Sequence, residues 1–318
     1  MTCIIVADQQ DLHADLVIQR LNEFKLDLIR IDPYLGDIDF HFDSEYLDEF
    51  LLNGEKVRFK NVTGVYCRMA LESLSIDSNN PVTKYSFSEY IGALNGFLLR
   101  IPQVKWMNFP WNESRADGKI YSLCVALSFG IKIPKFIISN HPSKINKAAL
   151  GDKNPVIKPI TDFGIAFQDN KYTDNPRSYN YSAPFTSELN WTELEARNEI
   201  VEDVPFLIQK KIDAIKEIRC VYVDGNVYAS SSDYNRNSYD SRLVARTNEV
   251  AHQIDFELIS KIHALMNNLG LNFSTMDFLL DQVGSYWLVD INPSGNWLWQ
   301  ELNMGIPIST AISRFLTK

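Results

Sequence analysis

The stretch from Ser274 to Trp299, STMDFLLDQVGSYWLVDINPSGNWLW, constrains this chain more than any other. Phe278-Leu279-Leu280 is a short apolar run, Gln282 to Ser285 turns the chain, and Tyr286-Trp287-Leu288-Val289 runs back, which is the pattern of a β-hairpin. Its polar exceptions carry the information. Asp277 sits in the first strand, Asp290 ends the second, and Asn292 follows two residues later on the same side of an extended strand. Two carboxylates and an amide oxygen on neighbouring strands can converge on one hard cation, and such a set suits Mg²⁺ held mostly by water and phosphate oxygens. A surface hairpin with ordinary turn residues is the plainer alternative, because Asp and Asn are common where strands end.

A chain of 318 residues has room for two or three packed units. The net charge of -9 argues against a general nucleic-acid partner. Cys3, Cys67, Cys124 and Cys220 lie far apart without a C-x-x-C pair, which argues against zinc and disulfides, reads as small core residues, and fits a reducing cytoplasm. No apolar run is long enough to span a membrane, and the N-terminus lacks the basic-then-apolar order of a signal peptide.

Thr2-Val6, Asp11-Phe24 and Leu26-Ile31 read as strand, helix and strand, the opening of a small parallel sheet without a G-x-G-x-x-G turn. Val57-Arg68 reads as a strand pair ending in VYCR, and Phe87, Ile91, Leu94 and Leu98 mark a helix. Ser114 and Asp117 read as a capping box before a helix carrying Ile120, Leu123, Cys124 and Leu127. A helix over 141–150, a polar segment over 171–183 and a weak helix over 191–200 are expected next. Asp224-Gly225 marks a second hairpin, and Leu258, Ile262, Leu265, Met266 and Leu269 fall on one helix face. The division expected is 1–110, 111–205 and 206–318, an α/β (α+β) chain whose last unit is mainly antiparallel.

Several cations and polar groups can serve a phosphate ligand beside the hairpin. Lys158 ends a strand before a loop containing Gly164, and Lys119 lies on the helix after Asp117. The Gln209-Lys210-Lys211-Ile212 strand end can offer backbone groups to an adenine edge. Glu217 can accept ribose hydroxyls. Arg219, two residues on, can face charge developing on a transferred phosphoryl group, and Arg242 is a further cation in a loop with Arg236 and Arg246. Each one alone is an ordinary surface residue. Their order along the chain weighs more: Lys119, Lys158, QKKI, Glu217-x-Arg219, Asp277, then Asp290-x-Asn292.

That order resembles the ATP-grasp ligases, over about two-thirds of the chain from Asn108 onward. DINPSGNWLW is the most specific piece. VKWMNFP, APFTSEL, PFLIQKKIDAIKEIRCVYVDGNVYAS and NPSGNWLWQE resemble the microviridin-type ligases that mature graspetides, and Asp240-Ser241-Arg242 is similar to their Asp-Trp-Arg element. The resemblance implies an ATP-grasp fold with an N-terminal pre-ATP-grasp domain, a small central domain and a C-terminal antiparallel-sheet domain. It implies ATP on Lys119 and Lys158, with Gln209, Lys210 and Ile212 at adenine and Glu217 at ribose. Mg²⁺ would lie on Asp277, Asp290 and Asn292, with Arg219 and Arg242 as catalytic cations. It further implies a precursor peptide with leader and core segments, a homodimer, and ester or amide crosslinks made from Asp or Glu side chains. There are departures: Asp290 stands where Glu is commoner, Lys210 where an acid is commoner, TDFGIAF has one glycine, and Arg68 lacks a second arginine beside it. A ligase acting on free amino acids or a protein tail, and an ATP-binding module without catalysis, are the alternatives. A carboxylate-pair hydrolase is a weaker one.

Overall fold

A computed structural model of the chain describes residues 1–35, 40–41, 44, 49–52, 55–69, 74, 76, 78–101, 103–141, 145, 147–151, 153–161, 165–167, 180–182, 186–188, 191, 205–234 and 248–318. Gly164, most of the polar 171–183 segment, nearly all of the helix expected over 191–200, and Arg236, Asp240, Arg242 and Arg246 lie outside the described residues.

The chain begins with β1 (Thr2–Val6), α1 (Leu12–Asn22), β2 (Asp27–Ile31), β3 (Phe40–His41), β4 (Glu49–Leu52), β5 (Glu55–Arg58), β6 (Val62–Cys67), α2 (Pro81–Leu98) and β7 (Lys105–Met107). Strands β2-β1-β6-β7 form a parallel sheet in that order. A parallel sheet needs cover on both faces. Leu94, Phe97 and Leu98 of α2 pack on the side that carries Ile4, Val6 and Val65, and Ala14, Val17 and Leu21 of α1 pack on the side that carries Cys3 and Ile5. Asp11 caps α1 by accepting from the Ala14 amide at 2.8 Å.

Next come α3 (Pro110–Asp117), α4 (Lys119–Ser128), β8 (Phe136–Ser139), α5 (Lys147–Leu150), β9 (Val156–Lys158), β10 (Ile165–Phe167), β11 (Asn180–Ser182), β12 (Ser187–Glu188) and β13 (Phe206–Gln209). Here two expectations are corrected. Ser114 and Asp117 do not start a helix; they lie inside α3, which begins with Pro110 at its first turn, where a missing N–H costs nothing. Gly118 then caps α4 without a side-chain bond. The described part of the 141–150 segment is helical only over Lys147–Leu150. Strands β12-β9-β13-β8 make an antiparallel sheet over a small core of Ile145, Leu150, Phe206 and Ile208.

The remainder is β14 (Ala214–Val223), β15 (Asn226–Asp233), β16 (Val250–Ala251), α6 (Phe256–Leu269), β17 (Phe273–Asp281), β18 (Tyr286–Asn292), α7 (Leu298–Met304) and α8 (Ile308–Thr317). Strands β16-β15-β14-β17-β18 form one antiparallel sheet. Asp255 caps α6 at 2.8 Å, Gly270 ends it with φ 69°, and its apolar face (Leu258, Ile262, Leu265, Met266, Leu269) packs with Ile218, Cys220, Met276, Phe278, Leu288 and Ile291 of the sheet. The helix α8 returns to the opening sheet. Ile308, Ile312, Phe315 and Leu316 join Cys3, Ile5 and Val17 in one cluster, and Gly64 on β6 lies so near that a Cβ there would meet the Leu316 carbonyl at 2.9 Å. Three of the four cysteines are buried as expected, but Cys124 is exposed on α4.

One buried side chain fastens the opening sheet to the hairpin of β17 and β18. Asn108 Nδ2 donates to the carbonyls of Phe273 (2.9 Å) and Pro293 (2.8 Å), and its Oδ1 accepts from the amides of Asn272 and Phe273, both at 2.9 Å. An amide has room for four such bonds, so the group is fully used.

Candidate functional site

A cleft of about 630 Å³ lies between the four-stranded sheet of β8, β9, β12 and β13 and the five-stranded sheet. That volume is within the ordinary range for a small-molecule site. Its lining includes Lys119, Lys158, Gln209, Lys210, Ile212, Glu217, Arg219, Asp277, Asp290 and Asn292. Every candidate residue named from the sequence is therefore in one place, except Arg242, which lies outside the described residues.

The lower wall is set by strand register. In an antiparallel ladder, directly opposite residues point to the same face. Arg219 on β14 is opposite Asp277 on β17, and Asp277 is opposite Asp290 on β18, so the three form a row across the sheet. The β17–β18 ladder shifts register just after Asp277. Asn292 pairs with Thr275 one step further along the same face, and Glu217 pairs with Leu279 one step the other way. Arg219 Nη1 donates to Asp277 Oδ2 at 2.7 Å. Both side chains are largely removed from water, at 9% and 29% exposure, so this pair is far less screened than a surface ion pair.

The loop after β18 is seated tightly. A Cβ on Gly295 would lie 1.8 Å from Thr275 Oγ1, so no other residue fits while the loop rests on β17. Arg68, at the end of β6, holds the outer side of that loop. Its Nη1 donates to the Ser294 carbonyl (2.8 Å), its Nη2 to Asn296 Oδ1 (3.1 Å), and its Nε pairs with Asp11 Oδ2 (3.2 Å). Arg68 is thus a buried strut that joins the opening sheet to the hairpin's exit.

The upper wall is carried by shorter strands. Lys158 ends β9 and reaches across to donate to the Val289 carbonyl of β18 at 3.3 Å. Gln209 ends β13, and its Nε2 is buried without a hydrogen bond. The Lys210 amide donates to the Lys135 carbonyl at 2.8 Å. Lys119 is the first residue of α4.

Two residues nearby have shifted ionisation. Glu113 on α3 is almost fully buried, and neither oxygen makes a hydrogen bond of standard geometry. Burial raises its pKa to about 7; the Ser294 hydroxyl and Arg68 oppose this only in part. His13 is pulled down to about 4, first by burial and then by the positive charge of Arg68.

A metal or nucleotide can be tested against this donor set. Asp277, Asp290 and Asn292 offer oxygen only, which suits a hard cation. Among the described residues no group of three or more His, Cys, Asp or Glu side chains forms a protein cage. A cation here would be completed by water and phosphate, as Mg²⁺ commonly is. The residues present therefore fit Mg²⁺ bound with a nucleotide.

Three lining residues had no signal in the sequence: Tyr234, Glu249 and Asn303. Thr186, Asn296 and Trp299 enter there only within the quoted APFTSEL and DINPSGNWLW stretches. Glu249 is brought in by non-local contact, taking bonds from Ser230 Oγ (2.8 Å) and Trp299 Nε1 (3.1 Å).

The parallel opening sheet, the two antiparallel sheets and the cleft between them together make the ATP-grasp ligase fold. Solved structures that it resembles include a macrocyclase and ATP-grasp ligases complexed with precursor peptides. The macrocyclase MdnC of Microcystis aeruginosa MRC, bound with precursor peptide MdnA, superposes with a TM-score of 0.82 at 20% identity, covering 99% of each chain. A RiPP-associated ATP-grasp ligase of Chryseobacterium gregarium, in complex with ADP and a leader and core peptide, gives 0.77 at 21% identity, covering 99% of this chain and 96% of that one. The ATP-grasp ligase PsnB, complexed with a phosphomimetic variant of its minimal precursor, Mg and ADP, gives 0.75 at 18% identity over 99% and 97%. No protein-family model matches the sequence, and no curated protein matches it.

Proposed function

We propose that this chain is an ADP-forming ligase that crosslinks a ribosomal precursor peptide through the side-chain carboxylates of Asp or Glu. The observation that carries this reading is the convergence, in one cleft, of two lysines, the Glu217-Arg219 strand and the oxygen set of Asp277, Asp290 and Asn292. The full-length likeness to precursor-bound ligases supports the choice of substrate.

Lys119 and Lys158 hold the phosphates of ATP, Gln209, Lys210 and Ile212 line its adenine, and Glu217 takes the ribose hydroxyls. Mg²⁺ on Asp277, Asp290 and Asn292 supplies charge neutralisation for the β- and γ-phosphates. The substrate carboxylate attacks the γ-phosphorus, ADP leaves, and an acyl phosphate forms. Arg219 faces the charge on the moving phosphoryl group, and Arg242 assists it. A Ser or Thr hydroxyl of the peptide, or a Lys amine, then attacks the acyl carbon. Phosphate departs with the carboxylate oxygen that had attacked phosphorus, the nucleophile gives up its proton, and the net change to the peptide is loss of one water per bond. The enzyme works as a homodimer and in the cytoplasm, where its cysteines stay reduced. Among the described residues no helix is long and apolar enough to cross a membrane.

The test is mass spectrometry of the protein with Mg·ATP and a small Asp/Glu- and Thr/Lys-rich peptide encoded beside its gene. Loss of one water mass per bond, with ADP and phosphate released, is expected. A mass gain on an added free amino acid would instead identify a ligase of the other type. No ATP consumption with any carboxylate, despite tight binding, would sink the enzyme reading.

A further inference from the structure

Asp277 is asked for two things at once. Its Oδ2 accepts from Arg219 at 2.7 Å, and the same carboxylate stands opposite Asp290 across the hairpin. A cation shared by the two carboxylates competes with the guanidinium for Asp277 and weakens the charged contact that Arg219 makes there. One carbonyl bond then remains, from Nη2 to Asn296 O at 2.9 Å, while Nε is buried and makes no hydrogen bond.

A second hold is built beside it. The Arg219 guanidinium carbon lies 5.5 Å from the centre of the Trp299 ring. Trp299 is itself fixed, since its Nε1 donates to Glu249 Oε1 at 3.1 Å. That oxygen also accepts from Ser230 Oγ at 2.8 Å. Ser230 Oγ accepts from Gln300 Nε2 at 2.9 Å, and the same Nε2 donates to the Arg219 carbonyl at 3.2 Å. Ser230 and Gln300 are fully buried. The indole is therefore tied, through three side chains, back to the residue whose charge it faces.

We infer that Trp299 is a positioning residue: its indole face keeps Arg219 aimed at the γ-phosphoryl position once Asp277 turns to the cation. This rests on the reading of the cleft proposed above. A planar guanidinium is stacked in this way, whereas a lysine ammonium is a mobile point charge.

The test is calorimetric titration of the full-length chain with Mg·ADP and with the Mg complex of the non-hydrolysable imido analogue of ATP. Trp299→Leu weakens the imido analogue about tenfold and Mg·ADP less than about twofold, because only the analogue carries a γ-phosphoryl group for Arg219 to meet. Trp299→Phe keeps a ring face without the Glu249 bond and recovers most of the loss. In an Arg219→Lys background, Trp299→Leu costs less than about twofold more. Equal losses for both nucleotides, or the same tenfold loss in the lysine background, would reduce Trp299 to a structural residue and overturn the inference. Wild-type protein that binds both nucleotides, matched by Trp299→Leu, overturns the inference alone. Wild-type protein that binds neither overturns the reading of the cleft, and the inference with it.

Discussion

The five-stranded sheet below the cleft and the four-stranded sheet above it both present polar side chains to the same space, yet they are held in different ways. In the lower sheet β14 runs from Ala214 to Val223 and pairs with β15 and β17 along nearly its whole length. The other face of that sheet packs with α6 in a large apolar cluster. In the upper sheet the strands run two to four residues, from Ser187–Glu188 to Phe206–Gln209, over a buried cluster of Ile145, Leu150, Phe206 and Ile208. The difference matches what each wall presents. Carboxylates and a guanidinium on short or branched reach need fixed strands to meet within ångströms. Lysines carry their charge on four-carbon stems and reach a phosphate from a lighter platform.

The largest expected effect tests the lower wall. Asp290→Ala should cut crosslinking by on the order of a thousandfold, read as product mass per unit time, with circular dichroism unchanged. Retained turnover would mean that the paired carboxylates are not the cation site. Next, Ile208→Ala in the upper core and Leu265→Ala in the lower core should each cost about 3 kcal/mol, but with different reach. Hydrogen exchange should show loss of protection in β8, β9 and β13 alone for the first, and in β14 and β17 for the second. If Ile208→Ala loosens β14 equally, the two sheets open as one unit and the contrast fails.

Glu113, buried on α3 beside Ser294 and Arg68, gives a pH-dependent effect. Its folded pKa of about 7 lies above the ordinary 4.5. As pH rises from 4.5 to 7 the unfolded chain releases this proton and the folded chain keeps it, so stability falls, then levels off above 7. Glu113→Gln should therefore stabilise the protein by about 3 kcal/mol at pH 8 and by nothing below pH 4.5, in urea titrations at both values. An equal gain at both pH values would assign the effect to packing. The smallest effect belongs to the upper wall: Lys158→Ala should weaken Mg·ADP about tenfold in a calorimetric titration, leaving the melting temperature within about 2 °C. A large drop in melting temperature would make its bond to the Val289 carbonyl a structural tie between the walls.

The parts legible in the sequence were those written in local patterns. The hairpin of β17 and β18, the Asp224-Gly225 turn and α6 follow from period, turn chemistry and caps that neighbouring residues declare. The candidate residues were legible through their order along the chain, whereas the strand register that brings Arg219, Asp277 and Asp290 into one row was not. What escaped was non-local. Arg68 shows in the sequence only as an arginine without a second one beside it, because nothing in VYCR reveals that the carbonyl of Ser294, 226 residues away, accepts its hydrogen bond. Glu113 reads like any surface acid in a helix, and only the fold buries it. Ser114 and Asp117 fitted a capping box by spacing, while Pro110 had already started the helix that contains them. Glu249 carries no motif at all and enters the cleft by pairing with Trp299 and Ser230.

The return of α8 to the opening sheet has a consequence for how the molecule is made. The Ser313 hydroxyl donates to the Val17 carbonyl at 3.5 Å across 296 residues of sequence, and Cys3 and Ile5 share their cluster with Ile312 and Leu316. During synthesis β1 and α1 leave the ribosome before α8, with one apolar flank bare. That flank is closed only once α8 has been translated, because Ile308, Ile312, Phe315 and Leu316 complete the cluster that Val221, Val223, Phe273 and Trp297 also join. β1 and α1 are thus written well before the helix that seals them, and until it follows, the nascent chain depends on protection of that flank from its neighbours.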